Sequence, residues 1–314
     1  MLLLQDNVMK SYINNLFCCF LTFFIITCND SVPKFDQESA FQFLLDQCDF
    51  GPRNPGSTGY DNCKKFLVNT LDSYMDTVFI QPFILDGIDN NEYSLSNIIA
   101  QFNSNSSDHL MIGAHWDTRP WADKDLNSQY HDQPIIGAND GASGVSVILE
   151  LARIFHNNPP PIRVSLVLFD GEDMGRPGIP NSYAKGSQYF AKNLPINAPD
   201  EAIILDMIGD KDLHLPIERY SYLQNRTLVK KLWSLAKELN LEAFESRIEH
   251  TVYDDHVPLW QEARIPAIDI IDFNYPNRYS NYWHTSQDIP ENCSAESLGQ
   301  VGRLLVHYIY GSHK

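Results

Sequence analysis

Residues 162–174, IRVSLVLFDGEDM, constrain this chain more than any other stretch. The run of Val, Leu and Ile reads as a strand buried on both faces, and it breaks off in Asp170, Gly171, Glu172 and Asp173. Open α/β sheets bind ligands beyond the carboxyl ends of their strands. Asp and Gly at a strand end are also ordinary turn chemistry. Three carboxylates delivered there allow a second reading, in which one holds a metal ion and its neighbour moves protons.

Composition limits the choices. With 314 residues and 43% hydrophobic content, the chain can bury a large core. No repeat marks it as a solenoid. Its formal net charge is -17, from 40 acidic against 23 basic residues, and no Lys/Arg run interrupts that balance. Nucleic acid is therefore excluded as a partner, and some of the carboxylates are available to serve a cation.

Residues 1–28 read as a targeting segment. Lys10 precedes an apolar stretch, 13–26, that is short for a membrane span and suits a signal-peptide core. The sequence FIITC before Asn29 resembles a bacterial lipoprotein signal in which Cys28 becomes the lipidated first residue, although Thr27 departs from the usual small residue. An ordinary cleaved signal and a short anchor stay open. The expectation is an exported protein, periplasmic or a membrane-anchored lipoprotein if bacterial, touching the membrane only through this N-terminus. Cys48, Cys63 and Cys293 remain in the mature part. An odd number permits one disulfide, with Cys48 and Cys63 the nearer pair. No CxxC is present, so a metal here falls to His and carboxylate.

Helical spacing at Phe41, Leu44, Leu45 and Cys48 marks 36–48, ended by Gly51 and Pro52. Loop 53–59, RNPGSTG, offers Ser57 and Thr58 as caps for a helix reaching Met75. Strand-like stretches follow at 77–85, 93–102 and 109–114, the first two separated by a turn at Asp89, Asn90 and Asn91. Helices and strands then alternate: helix 142–156, strand 162–169, helix 186–192, strand 202–206, helices 224–239 and 257–263, strand 267–271 and helix 295–310. The order predicts an α/β fold: a single domain over 34–314, with a central mixed, mostly parallel sheet flanked by helices on both faces.

Polar residues fall at the strand ends of that scheme. His115 and Asp117 follow the strand 109–114, Asp140 lies in the loop GANDG before a helix, Glu172 and Asp173 end the central strand, Asp206 ends the next, and Trp283 and His284 follow Ile271. In a doubly wound sheet these positions converge on one rim. A lone His or Asp there is commonly a cap, but one site accounts for all of these positions together. Two histidines with carboxylates and no thiols suit zinc in an open catalytic site.

The order HWD, GANDGASG, DGED, LDMIGD, DDH and WHT resembles the zinc aminopeptidase superfamily, and within it the animal-type glutaminyl cyclases and their bacterial relatives. The resemblance covers roughly Phe35 to the C-terminus. The doubled acid Asp254-Asp255 before His256, and Trp283 before His284, are its cyclase-like marks. It implies one zinc ion held by Asp140, Asp173 and His284, with Glu172 as general base and Asp206 and Asp254 as acids near it. Asp173 departs from the animal pattern, which has Glu there. Trp283 aligns with a substrate-pocket aromatic, Tyr279 stands in place of a Phe, and the loop 174–180 lacks the Trp of the animal enzymes.

The implied reaction cyclises the N-terminal glutamine of peptides or proteins to pyroglutamate with loss of ammonia. Its nucleophile is the substrate's own amine, so no Ser or Cys nucleophile is required. One of Asp254 and Asp255 is expected to cap the helix 257–263. The rival is a two-zinc aminopeptidase, with Asp140 bridging, Asp206 as a ligand, Glu172 activating water, and His115 and Asp117 at the second metal or supporting it. The ligand inventory does not separate the two.

Overall fold

Side-chain alternation along the strands builds the sheet and divides the core in two. The computed structural model describes residues 32–87, 91–102 and 105–311. The expected targeting segment, and Asp89 and Asn90 of the expected turn, lie outside the described residues. From Val32 onward the chain forms one compact unit.

Six strands, β1 (Thr77–Asp86), β2 (Glu92–Phe102), β3 (His109–His115), β4 (Arg163–Phe169), β5 (Glu201–Asp206) and β8 (Ala267–Ile271), pair in the order β1-β2-β4-β3-β5-β8. β1 and β2 meet β4 as an antiparallel ribbon, while β4, β3, β5 and β8 run parallel. β4 is the central run singled out in the sequence. Along it Val164, Leu166 and Leu168 enter the larger core while Val167 and Phe169 enter the smaller one. β3 and β5 divide in the same way, as period-two geometry requires. The larger core holds α1 (Gln37–Cys48), α2 (Thr58–Asp72), α3 (Ala142–Asn157), α6 (Arg226–Glu238) and α8 (Ala295–Gly311); the smaller lies under α4 (Lys185–Lys192) and α7 (His256–Ala263).

Capping follows the sequence at Ser57, adds Asp36, and departs from the sequence at a third helix. Asp36 accepts from the backbone N–H of Glu38 and Ser39, and Ser57 from that of Tyr60 at 3.0 Å. Asp255 occupies the N-cap position of α7 without a side-chain cap bond, and Asp254 Oδ1 accepts from Asp255 N at 2.6 Å. The expected cap is absent because both carboxylates point inward, where each is almost wholly buried. The expected disulfide is absent too: Cys48, Cys63 and Cys293 are free, buried thiols.

Two small features escaped the sequence pattern. β6 (Leu215–Ile217) pairs in parallel with β7 (Phe244–Ile248), with α5 (Arg219–Gln224) and α6 between them, and β9 (Pro276–Asn277) forms a short hairpin with β10 (Ser280–Asn281). These strands are too short to show a period. From β3 the chain crosses to β4 on one side and returns to β5 on the other, so the carboxyl ends of β3 and β5 flank a topological switch point.

Candidate active site

At that switch point the end of β5 and the loops after β3, β4 and β8, together with the segment between β7 and α7, bring Asp140, Glu172, Asp173, Asp206, Asp254 and His284 to one cavity of about 300 Å³. Its outer walls are Tyr183, Val252, Tyr253, Phe273 and Trp283. The geometry gathers every strand-end residue picked from sequence except Asp117 and His115, which stand directly behind it.

Asp117 positions the acidic loop. Fully buried, it accepts from Glu172 N at 3.0 Å through Oδ1 and from Asp173 N at 3.2 Å through Oδ2. Gly171 lets the loop turn there: its φ is +71°, and a Cβ would sit 2.6 Å from Leu95 Cδ1. Arg119 closes the other side, donating to the carbonyls of Asp173 at 2.9 Å and Gly175 at 3.2 Å. Asp170, the first carboxylate of the motif, is structural, held by Tyr60 Oη and Ser96 N at 2.5 Å each.

Asp140 enters from the loop before α3. Asp288 fixes that loop by accepting from Asn139 N at 2.7 Å and Asp140 N at 3.1 Å. His284 arrives in the left-handed region at φ 57°, a strained backbone for a non-glycine residue, with its ring stacked on Trp283 at 3.7 Å. Its Nε2 lies 3.0 Å from Asp173 Oδ1 and 3.6 Å from Asp140 Oδ2. Asp140, Asp173 and His284 can place ligand atoms within 4.8 Å of one another. Asp140 Oδ2, Asp173 Oδ2 and His284 Nδ1 are buried without a hydrogen-bond partner. Two orphaned carboxylate oxygens beside an imidazole fit a divalent cation.

His115 differs. Its Nδ1 lies 3.2 Å from the Asp117 carbonyl, and its Nε2 lies 3.1 Å from Asp140 Oδ1 and 3.2 Å from Asp206 Oδ1. Burial works against its positive charge, but Asp117, Asp140 and Asp206 together hold the imidazole well above its usual range. His284 is held below it, chiefly by burial. His115, Asp140 and Asp206 also lie within 4.8 Å of one another, so a second ligand set exists geometrically.

The acid side of the cavity reaches further back than the sequence indicated. Burial, and then the charge of Asp173, keep Glu172 well above the ordinary carboxylate range, with Asp254 adding to the effect. Asp254 is pushed up to about 6, first by burial and then by Asp206. Behind it stands Asp269, fully buried in β8, with ligand-type atoms of Asp254, His256 and Asp269 within 4.8 Å. Asp269 is held well above the ordinary carboxylate range, first by burial and then by the charge of Asp254. Sequence reasoning missed Asp269, although an acid inside the apolar run AIDII was a usable signal. It also missed Tyr183, Tyr253 and Phe273, whose place on the wall depends on loop paths. Tyr279, expected in the pocket, lies outside it at 85% exposure on the turn of the β9–β10 hairpin, which projects into solvent.

Known proteins share this fold. The chain is 34% identical to the glutaminyl cyclase of Tannerella forsythia, whose structure superimposes with a TM-score of 0.86 over 88% of this chain and 99% of that one. A zinc-dependent exopeptidase from Parabacteroides distasonis is as close, with 33% identity and a TM-score of 0.86 over 89% and 99% of the two chains. Among curated proteins, the glutaminyl-peptide cyclotransferase of Bothrops jararaca is 24% identical over 252 residues, which cover 69% of this chain and 65% of that enzyme's length. The model of peptidase family M28 matches residues 97–309, from β2 through nearly all of α8 and so across every strand end that feeds the cavity. With fold, cavity and motif order agreeing over that span, the chain belongs to peptidase family M28.

Proposed function

We propose that the protein is a zinc-dependent glutaminyl cyclase that converts the N-terminal glutamine of peptides or proteins to pyroglutamate. The observation that carries this reading is Asp254: a buried carboxyl group in the cavity wall, close enough to Glu172 to raise its affinity for a proton. Aminopeptidase chemistry has no need of it.

Cyclisation joins the substrate's α-nitrogen to its side-chain amide carbon and breaks the bond to the amide nitrogen, which leaves as ammonia. Asp140, Asp173 and His284 would hold one zinc ion, and zinc bound there supplies polarisation of the side-chain carbonyl. Glu172 takes a proton from the attacking amine and returns it to the departing nitrogen. Asp254, backed by Asp269, keeps a proton available in the pocket, and Asp206 stays paired with His115. Tyr253, Phe273 and Trp283 exclude water around the glutamine side chain. The single-ion assignment is supported by the orphaned oxygens of Asp140 and Asp173 beside His284, against the engaged ring of His115.

We also propose export through residues 1–28, with lipidation at Cys28. Cys28→Ala is expected to move the protein out of the membrane fraction; unchanged association with an uncleaved N-terminus refutes lipidation. For the chemistry, the test is Asp254→Asn. The variant is expected to keep zinc and fold while cyclisation falls by roughly two orders of magnitude. Normal cyclisation by the variant removes Asp254 from the mechanism.

A further inference from the structure

The catalytic cavity has a neighbour along its Lys124 wall. A wider cavity of about 580 Å³ opens beside it, and Lys124 lines both. Its walls are the segment carrying Lys124 and Leu126 on one side and the β9–β10 hairpin with Arg278, Tyr279 and Tyr282 on the other. Leu126 is fully exposed and Tyr279 is 85% exposed, so two large side chains offer apolar surface along the groove.

Its charge is opposite to that of the whole chain. In a protein of net charge -17, this groove carries two cations. Lys124 lies over the Trp283 ring at 5.8 Å and Arg278 over the Tyr279 ring at 5.2 Å. Among the described residues, neither is ion-paired to a carboxylate. The acid in the groove, Asp125, is already engaged, accepting from Asn127 N at 2.8 Å, Ser286 N at 2.9 Å and Ser286 Oγ at 2.5 Å. On the far side of Arg278, Glu245 pairs with His214 at 2.7 Å and with Arg247, and Glu249 pairs with Arg247.

We infer that this groove is a downstream subsite that receives the residues following the substrate's first and favours Asp or Glu among them. The inference rests on the cyclase reading. A peptide whose first residue fills the catalytic cavity leaves it past Lys124, and an extended chain then runs between Leu126 and Tyr279 toward Arg278. Long-range attraction to a protein of this charge favours basic peptides. A preference for acidic ones therefore has a local origin.

The test uses peptides beginning Gln-Ala, with Glu-Glu or Lys-Lys at the next two positions, and reads kcat/KM for each as a ratio. The acidic peptide is expected to be favoured about fivefold at low salt, the scale of exposed charge pairs, with the ratio falling toward one at about 1 M salt. Arg278→Glu should invert it. A ratio near one in the parent, or an unchanged ratio in Arg278→Glu, overturns the inference. Following the peptides by mass keeps the two readings apart: loss of ammonia tests cyclisation, while the ratio tests the groove whichever product forms. Calorimetric titration of both peptides into Glu172→Gln protein gives the same ratio without turnover.

Discussion

Two histidines, His284 in the cavity wall and His115 behind it, face a shared carboxylate, Asp140, yet their surroundings differ. Both ring nitrogens of His115 meet oxygen atoms, and neither Asp117 nor Asp206 leaves a buried oxygen unpartnered. On the His284 side, Asp140 Oδ2 and Asp173 Oδ2 are buried and unmatched, and His284 turns its Nε2 toward these same two carboxylates. Unpaired buried polar atoms cost about 1–3 kcal/mol each, so the unmatched side is where a cation gains most. The same ligand inventory that allows two ions thus divides into a half built for a metal and a half that braces the acids.

The largest expected effect comes from exchanging those roles. His284→Ala should lose zinc and roughly two to three orders of magnitude in turnover, whereas His115→Gln should keep about one equivalent of zinc, both read by metal analysis of purified protein. Two equivalents in the parent, falling to one in His115→Gln, would break the comparison in favour of a two-metal site. Glu172→Gln comes next: turnover should fall by about two orders of magnitude or more with zinc retained, and near-normal turnover removes Glu172 as the base.

Asp117→Asn should act more weakly and through position. It leaves one carbonyl oxygen to serve two backbone N–H groups, which costs about 1–3 kcal/mol, so the thermal midpoint and turnover should drop together. A variant that loses one equivalent of zinc with an unchanged midpoint would make Asp117 a ligand. The smallest effect lies away from the cavity. Burial pushes Asp210 from 3.8 up to about 7, so its contribution to stability is full at low pH and is lost as pH rises through about 4 to 7. Asp210→Asn should therefore gain stability relative to the parent across that window, visible in thermal midpoints at pH 4 and pH 8. A constant difference at both pH values contradicts the shift.

Long-period features were legible in the sequence and contact-dependent ones were not. β4 and its DGED terminus stood out because a strand buried on both faces leaves a continuous apolar run. The rim positions of Asp140, Asp173, Asp206 and His284 followed from the alternation of elements, since an open sheet sends all such loops to one edge. Asp117 read as a candidate ligand because sequence cannot show that backbone donors take both of its oxygens. One of Asp254 and Asp255 read as a cap because local spacing hides that both turn inward, toward Glu172 and Asp269. Tyr279 was placed in the pocket because it stands where the resemblance has a Phe, and the two-residue strands of the β9–β10 hairpin carry it outward instead.

The central claim is the reaction itself, and the mass of a single product decides it. Zinc-loaded protein incubated with a peptide that begins Gln-Ala should yield one species lighter than the substrate by one ammonia, with every residue retained. Release of free glutamine and a peptide one residue shorter would contradict the account and assign this site to aminopeptidase chemistry.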